Sequence, residues 1–419
     1  MSRSSTRLAP VLGLTLLLAL TACGEPMPVP TPTPSPTYAH TGDGVLRIGT
    51  LFPTSGTFAF IGPSEVAGVE TAVREINEAG GINGVPVEVF HRNSGDTSTE
   101  TAEASLADLV TKGVDVIIGP SSSALAERLL APAQAAGIPL ISPAATFPEL
   151  TSLKDDGLVF RTIPAYALQG GALAAGLSEA KATKVAYLYQ DGDLGAGLLD
   201  SLTKGLDSAG ITLAYSGTFS AKTTDFTSLI SKATKAGADA VVLSTPSDAV
   251  EQTKTLITGL SSAGLGGAKL WLTSQNLADY SQALPGGLLN GAHGVLEGAH
   301  PDDAFAARLR QADPSLGNYS YAAEAYDATI LAALSAIVGG DDGGAAVART
   351  LRSVSTGGIK CTSFGECLDV LTTETDVDYD GISGPVNLTK QGDVTSGSFG
   401  IYVYGAGNTY TLAKVVIAS

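Results

Sequence analysis

Short β-branched runs alternate with Ala-rich segments of helical period through most of the chain. Val45-Leu46-Arg47-Ile48-Gly49 reads as a strand, and after it Val66, Val69, Val73 and Ile76 fall on one face of a helix. That helix is expected to begin near Ser64 and to end at Gly80-Gly81. Asn83-Gly84 turns the chain into an extended run over 85–90, a helix follows over about 99–112, and 114–118 is a continuous apolar strand stopped by Gly119-Pro120. Further strands are expected at 138–142, 184–189, 211–217, 240–244 and 270–272, each separated from the next by a helix-length segment. Such alternation specifies an α/β protein with parallel sheets covered by helices on both faces, and right-handed crossovers follow from strand twist.

Open parallel sheets bind ligands beyond the carboxyl ends of their strands, where loops lead into helix N-termini. Two such loops stand out. Gly119-Pro120-Ser121-Ser122-Ser123 precedes a helix-forming run, 124–136, that Gly137 closes. Its hydroxyls and free N–H groups suit a carboxylate or another anionic oxygen. Ser142-Pro143-Ala144-Ala145-Thr146 follows the next strand; Pro143 keeps that loop out of helical geometry and Thr146 adds a hydroxyl on the same sheet edge. Either run alone fits an N-cap and a turn, but on consecutive strands the pair points to a binding site.

The first 44 residues follow a different pattern. Arg3 and Arg7 open a segment whose apolar run extends from Leu8 to Leu20, too short to span a bilayer and typical of a secretory signal. Leu20-Thr21-Ala22-Cys23 resembles the lipobox of bacterial lipoproteins, which implies a signal peptide over 1–22 and lipidation at Cys23. Within the 23–44 tether, prolines at 26, 28, 30, 32, 34 and 36 favour polyproline II, so the stretch 24–37 could hold a domain roughly 35–40 Å from a membrane.

Length predicts two lobes or domains, and the formal charge of −17 disfavours nucleic acid and anionic surfaces as partners. Cys361 and Cys367, close together in an exported chain, read as a local disulfide whose small ring contributes about 2 kcal/mol by loop entropy. No CxxC spacing supports zinc. Asp376-Val377-Asp378-Tyr379-Asp380-Gly381 matches the first half of a calcium loop, but position twelve is Asn387 rather than a bidentate Glu, so no metal is assigned. Ser201-Leu202-Thr203-Lys204 lies within an amphipathic helix whose buried stripe is Leu198, Leu199, Leu202 and Leu206, which disfavours a nucleophile there. The histidines at 40, 91, 293 and 300 form no ligand spacing. Trp271, Tyr319, Tyr321 and Tyr326 are read as core, with cleft lining the alternative.

From Val45 to about Leu412 the chain resembles the Leu/Ile/Val-binding protein family, the type I periplasmic binding proteins that deliver solutes to ABC importers. The resemblance rests on the order and spacing of several motifs: Leu51-Phe52-Pro53-Thr54-Ser55-Gly56, Ile76-Asn77-Glu78-Ala79-Gly80-Gly81-Ile82-Asn83-Gly84, the two serine loops, Phe160-Arg161-Thr162, Asp225-Phe226-Thr227 and 378–385. It implies two Rossmann-like lobes joined by three crossovers, the first spanning 45–163 and 297–396, the second 164–296 and 397–419. It also implies a small-molecule solute trapped between the lobes, no cofactor, no catalysis, and an ABC permease in the membrane as partner. The family's carboxylate clamp maps onto Ser123 or its neighbour Ser122, and onto Ala144, Ala145 and Thr146 in the next loop. Two departures fall in the second lobe: Leu194, before Gly195, replaces an aromatic residue, and Gln275 stands near the carboxylate that meets a ligand ammonium. Gln accepts a hydrogen bond without charge, so the strong contact to an ammonium is missing. A receptor lipoprotein that signals to a partner is the rival use of the same cleft; a hydrolase needs a nucleophile and base that the sequence does not offer.

Overall fold

The computed structural model describes residues 41–419; the signal segment, Cys23 and the alternating prolines lie outside the described residues. The continuous apolar runs Val116–Ile118, Leu140–Ser142, Ala240–Ser244 and Leu270–Leu272 become central strands buried on both faces, and the Ala-rich runs become helices that cover them. In chain order, β1 (Arg47–Phe52), α1 (Gly62–Glu78), β2 (Glu88–Asn93), α2 (Thr101–Thr111), β3 (Val116–Ile118), α3 (Ser123–Ala136), β4 (Leu140–Ser142) and β5 (Val159–Arg161) build the first lobe's sheet and its first helices. The sheet is five-stranded and parallel, in the order β2-β1-β3-β4-β5. Val69, Val73 and Ile76 of the predicted stripe are buried, and Val66 is partly buried.

The chain then crosses to the second lobe. There it forms α4 (Gln169–Glu179), β6 (Lys184–Gln190), α5 (Asp193–Ser208), β7 (Thr212–Phe219), α6 (Thr227–Lys235), β8 (Ala240–Ser244), α7 (Val250–Ser262), β9 (Leu270–Leu272) and β10 (His293–Glu297). It returns to add α8 (Asp303–Ala312), α9 (Ala322–Gly339), α10 (Gly344–Thr350), β11 (Ile359–Cys361), α11 (Phe364–Leu371), β12 (Val377–Gly381) and β13 (Gly384–Pro385). A third crossing ends in β14 (Gly397–Tyr404) and β15 (Tyr410–Ala418), which complete a seven-stranded sheet, β15-β14-β10-β9-β8-β6-β7. The result is an α/β protein of two parallel-sheet lobes joined by three crossovers, as the resemblance implies.

The terminal strands depart from pure βα alternation: β14 pairs antiparallel with β10 and with β15. Half of β15 faces solvent, so it lacks the continuous apolar run that marked the earlier strands. Helix α9 is buried from Ala322 to Ala336 and correspondingly apolar nearly all round. It crosses α1 so closely that a Cβ on Gly68 would lie 2.2 Å from the Ala322 carbonyl oxygen.

Cys361 and Cys367 are disulfide-bonded, joining β11 to α11. The calcium-like run forms strand β12 instead of a loop. Its Asp378 and Asp380 lie 3.1 and 2.8 Å from the Lys360 ammonium, the cation already paired with them. Ser201, in α5, donates its hydroxyl to the Ala167 carbonyl, while Lys204 pairs with Asp200.

Candidate functional site

The first-lobe edge is built from the loops after β3 and β4. Ser122 is the N-cap of α3, its backbone extended and its Oγ accepting from the Leu125 N–H at 3.4 Å. Ser123, the first helical residue, accepts the Phe147 N–H at 3.2 Å and so ties the two loops together. Ser142 donates to the Pro120 carbonyl at 2.6 Å and accepts from Ala145 N–H at 3.0 Å. Ala145 and Thr146 are buried, and Ala144 is partly exposed. A Cβ on Gly119, whose φ is +118°, would lie 2.6 Å from the Leu51 carbonyl oxygen, so only glycine lets this loop pack against β1.

Two charged residues that sequence reasoning did not place at the site hold this edge from beneath. Arg161, 1 % exposed, reaches Asp393 at 2.6 Å, the carbonyls of Phe147 and Ala145 at 2.9 and 3.3 Å, and Thr151 Oγ1 at 2.8 Å. Glu65, fully buried in the first turn of α1, lies with both carboxyl oxygens 2.7 Å from Ser121 Oγ. Each carried a signal: Arg161 ends an apolar strand, and Glu65 sits four residues before Val69 on the apolar face of its helix, where a charge is out of place.

On the second lobe, the ends of β6, β8 and β9 surround a cavity of about 250 Å³ that Leu194 and Gln275 both line. Asp191, Asp193, Ser244 and Thr245 line it too, and Glu149 brings in the first lobe. Tyr166, in the first crossover, lines the same cavity; its hydroxyl meets Ser244 at 2.8 Å and its N–H donates to the Thr146 carbonyl at 2.7 Å. Through Tyr166 the cavity adjoins the clamp loops, although Ser122, Ser123, Ala144, Ala145 and Thr146 do not themselves line it. Burial pushes the Tyr166 phenol up, so it stays a neutral hydrogen-bonding group.

A second cavity, about 190 Å³, lies between the returning crossover at 296–300, the 317–321 loop and Tyr402. Tyr319 and Tyr321 line it, whereas Trp271 and Tyr326 are core residues. His300 also faces it; His293 stacks on Trp271, and His91 is held by Thr50 and Glu70. Buried acids surround this crossover. Burial pushes Glu297 up to about 7, against hydrogen bonds from Ser274 and Gln169, and Glu324 up to about 8, against the Ala299 N–H that donates to it. Among the described residues no cluster of His, Cys, Asp or Glu is suited to a metal. The loops and the cavity beside them offer hydroxyls, main-chain amides, amide side chains and the carboxyls of Glu149, Asp191 and Asp193, which is chemistry for holding a small polar molecule.

Comparison with known proteins identifies the family and the fold. A model of the periplasmic binding protein family matches residues 45–367. The chain is 32% identical over 194 residues to the leucine-, isoleucine-, valine-, threonine- and alanine-binding protein of Pseudomonas aeruginosa, covering 46% of this chain and 51% of that protein. It is 32% identical over 212 residues to Leu/Ile/Val-binding protein homolog 8 of Brucella abortus, covering 47% and 51%. The chain thus spans about half the length of the curated relatives it matches. Among solved structures, the isoleucine complex of the branched-chain amino acid transporter substrate-binding protein LivJ from Streptococcus pneumoniae superposes with a TM-score of 0.58 at 22% identity, covering 90% of this chain and all (100%) of that one. A solute-binding protein of an ABC transporter from Rhodopseudomonas palustris, in complex with p-hydroxybenzoic acid, gives 0.61 at 18%, covering 90% and 98%. At these identities the superpositions carry the fold, type I periplasmic binding protein, and the family match carries the membership: this chain belongs to the periplasmic binding protein family.

Proposed function

We propose that this chain is an extracytoplasmic solute-binding lipoprotein of an ABC importer, anchored through Cys23. It captures a small polar solute bearing a carboxylate or carboxamide, a branched-chain or other amino acid or a relative of one. The lobes divide at 163/164, 296/297 and 396/397, and solute sits between them. Ser122, Ser123, Ala144, Ala145 and Thr146 grip the carboxylate end; Leu194 and Gln275 face the remainder.

One observation carries this reading: Tyr166 in the crossover hydrogen-bonds the Thr146 carbonyl while lining the cavity of Leu194 and Gln275, so clamp and cavity adjoin at the hinge. A ligand touching both lobes makes its full set of contacts only when they close, and its differential affinity shifts the open–closed population. Binding, not turnover, is the activity. The names of the Pseudomonas relative, a leucine-, isoleucine-, valine-, threonine- and alanine-binding protein, and of the Brucella Leu/Ile/Val-binding protein homolog support the amino-acid class. Labelled leucine uptake in a deletion strain tests the proposal. Uptake should return with the wild-type gene and not with Thr146→Ala; uptake unaffected by deletion would favour a sensing role instead.

A further inference from the structure

We propose that Glu65 is a positioning residue of the first-lobe clamp: as a neutral acid it donates to Ser121 and frees the Ser121 hydroxyl to donate to a ligand carboxylate. The inference rests on the reading of the cleft as a carboxylate site and adds a residue outside the two clamp loops.

The geometry is that of a sealed acid with one partner. Glu65 is fully buried, and among the described residues its carboxyl has Ser121 alone within hydrogen-bond distance, 2.7 Å from each oxygen. No Lys, Arg or His pairs with it among the described residues, and the groups facing it from α9 and the loop before it are Glu324 and Tyr321. The approach of Gly68 to Ala322 fixes α1 against α9 and keeps these groups together. An ionised carboxylate here would be uncompensated. Burial accordingly pushes Glu65 well above the usual carboxylate range; the Ser121 bond opposes this and Glu324 adds to it.

A neutral carboxyl carries one O–H donor, and Ser121 Oγ is the acceptor in reach. Ser121 then accepts from Glu65 and keeps its own hydrogen for the cleft. An ionised Glu65 reverses the bond: Ser121 turns its O–H inward, and a negative charge stands behind the clamp. Both changes oppose an anionic ligand oxygen. Carboxylate binding is therefore coupled to the proton on Glu65, and Ser121 joins Ser122 and Ser123 as a donor of the clamp.

The test is calorimetric titration with L-leucine from pH ~6 to ~10 for the wild type, Glu65→Gln, Glu65→Leu, Glu324→Gln and Thr146→Ala. Glutamine donates as the neutral acid does and cannot ionise. Glu65→Gln should match the wild type at the acidic end and exceed it progressively on the alkaline side, by up to about tenfold per pH unit once Glu65 titrates. Glu65→Leu should bind about tenfold or more weakly throughout. Glu324→Gln removes a group that raises Glu65, so it should keep the alkaline fall in affinity with its onset moved to lower pH. Glu65→Gln tracking the wild type, Glu324→Gln removing the pH dependence, or Glu65→Leu binding normally would each overturn the proposal. Infrared difference spectra of wild type against Glu65→Gln, without ligand, should show a protonated-carboxyl band at neutral pH; its absence would overturn the proposal too. If leucine fails to bind the wild type, or Thr146→Ala binds it normally, the cleft reading itself falls, separately from the state of Glu65.

Discussion

The two edges of the cleft are built on opposite principles. On the first lobe the serines of the clamp loops are already tied, Ser122 to Leu125, Ser123 to Phe147, Ser142 to Pro120 and Ala145, with Arg161 fastening the second loop from below; the Thr146 hydroxyl alone has no partner among the described residues. On the second lobe the cavity wall is looser. Asp191 and Asp193 are exposed, Leu194 and Gln275 are partly exposed, and Gln275 makes no hydrogen bond among the described residues. A pre-tied edge loses little freedom on binding and suits the invariant end of a ligand class, whereas a free one suits the part that varies. Under the proposed function, this difference would put affinity on the first lobe and selectivity on the second.

The strongest way to break that contrast is to cut the first edge loose. Arg161→Met should destabilise the fold by about 3–5 kcal/mol, because it leaves the largely enclosed Asp393 and the buried Ala145 carbonyl without their partner. It should also abolish binding before the protein melts. Denaturant unfolding and calorimetry read both effects, and a variant with native stability would show that Arg161 does not hold the loop.

Next in size are the clamp hydroxyls. Ser123→Ala and Thr146→Ala should each raise the dissociation constant about 10- to 100-fold, the value of a hydrogen bond to a charged group, roughly 1.5–3 kcal/mol. Unchanged affinity in both would place the ligand elsewhere.

On the selective edge the expected effect is a change of preference. Gln275→Glu should lower affinity for des-amino carboxylates about tenfold while ammonium-bearing solutes hold or gain. A panel of α-amino acids, their amides and des-amino acids against both proteins measures this. If no ligand responds, Gln275 does not face the solute.

Apart from binding, stability itself should depend on pH. Glu297 and Glu324 are raised from 4.5 to about 7 and about 8, so the folded state prefers their protons. Stability from these groups is full below the unfolded value and is lost as pH rises toward the folded one, by up to ~1.4 kcal/mol per unit for each. Denaturant midpoints should fall from pH ~5 to ~8, and less steeply in Glu324→Gln. An equal slope in that variant would mean Glu324 is ionised in the native state.

What the sequence revealed follows the same division. The βα alternation, the serine loops and the disulfide were legible because each is local: a strand, a turn and a helix start occupy adjacent residues. Arg161 and Glu65 were harder, since each acts on residues distant in sequence. A buried charge announces itself only as an oddity on an apolar face. The antiparallel β14–β15 pair escaped because β15 is half exposed and carries no long apolar run. Tyr166 could not be placed from its neighbours, since its role arises from meeting Thr146 and Ser244 across the crossover.

Calorimetric titration of the ligand-stripped domain with amino acids and benzoates tests the central claim most directly, with Thr146→Ala and Gln275→Glu measured beside the wild type. The account predicts one-site binding of a carboxylate-bearing solute. Thr146→Ala should weaken every ligand in parallel, and Gln275→Glu should reorder them. A ligand bound with wild-type affinity by both variants would contradict it.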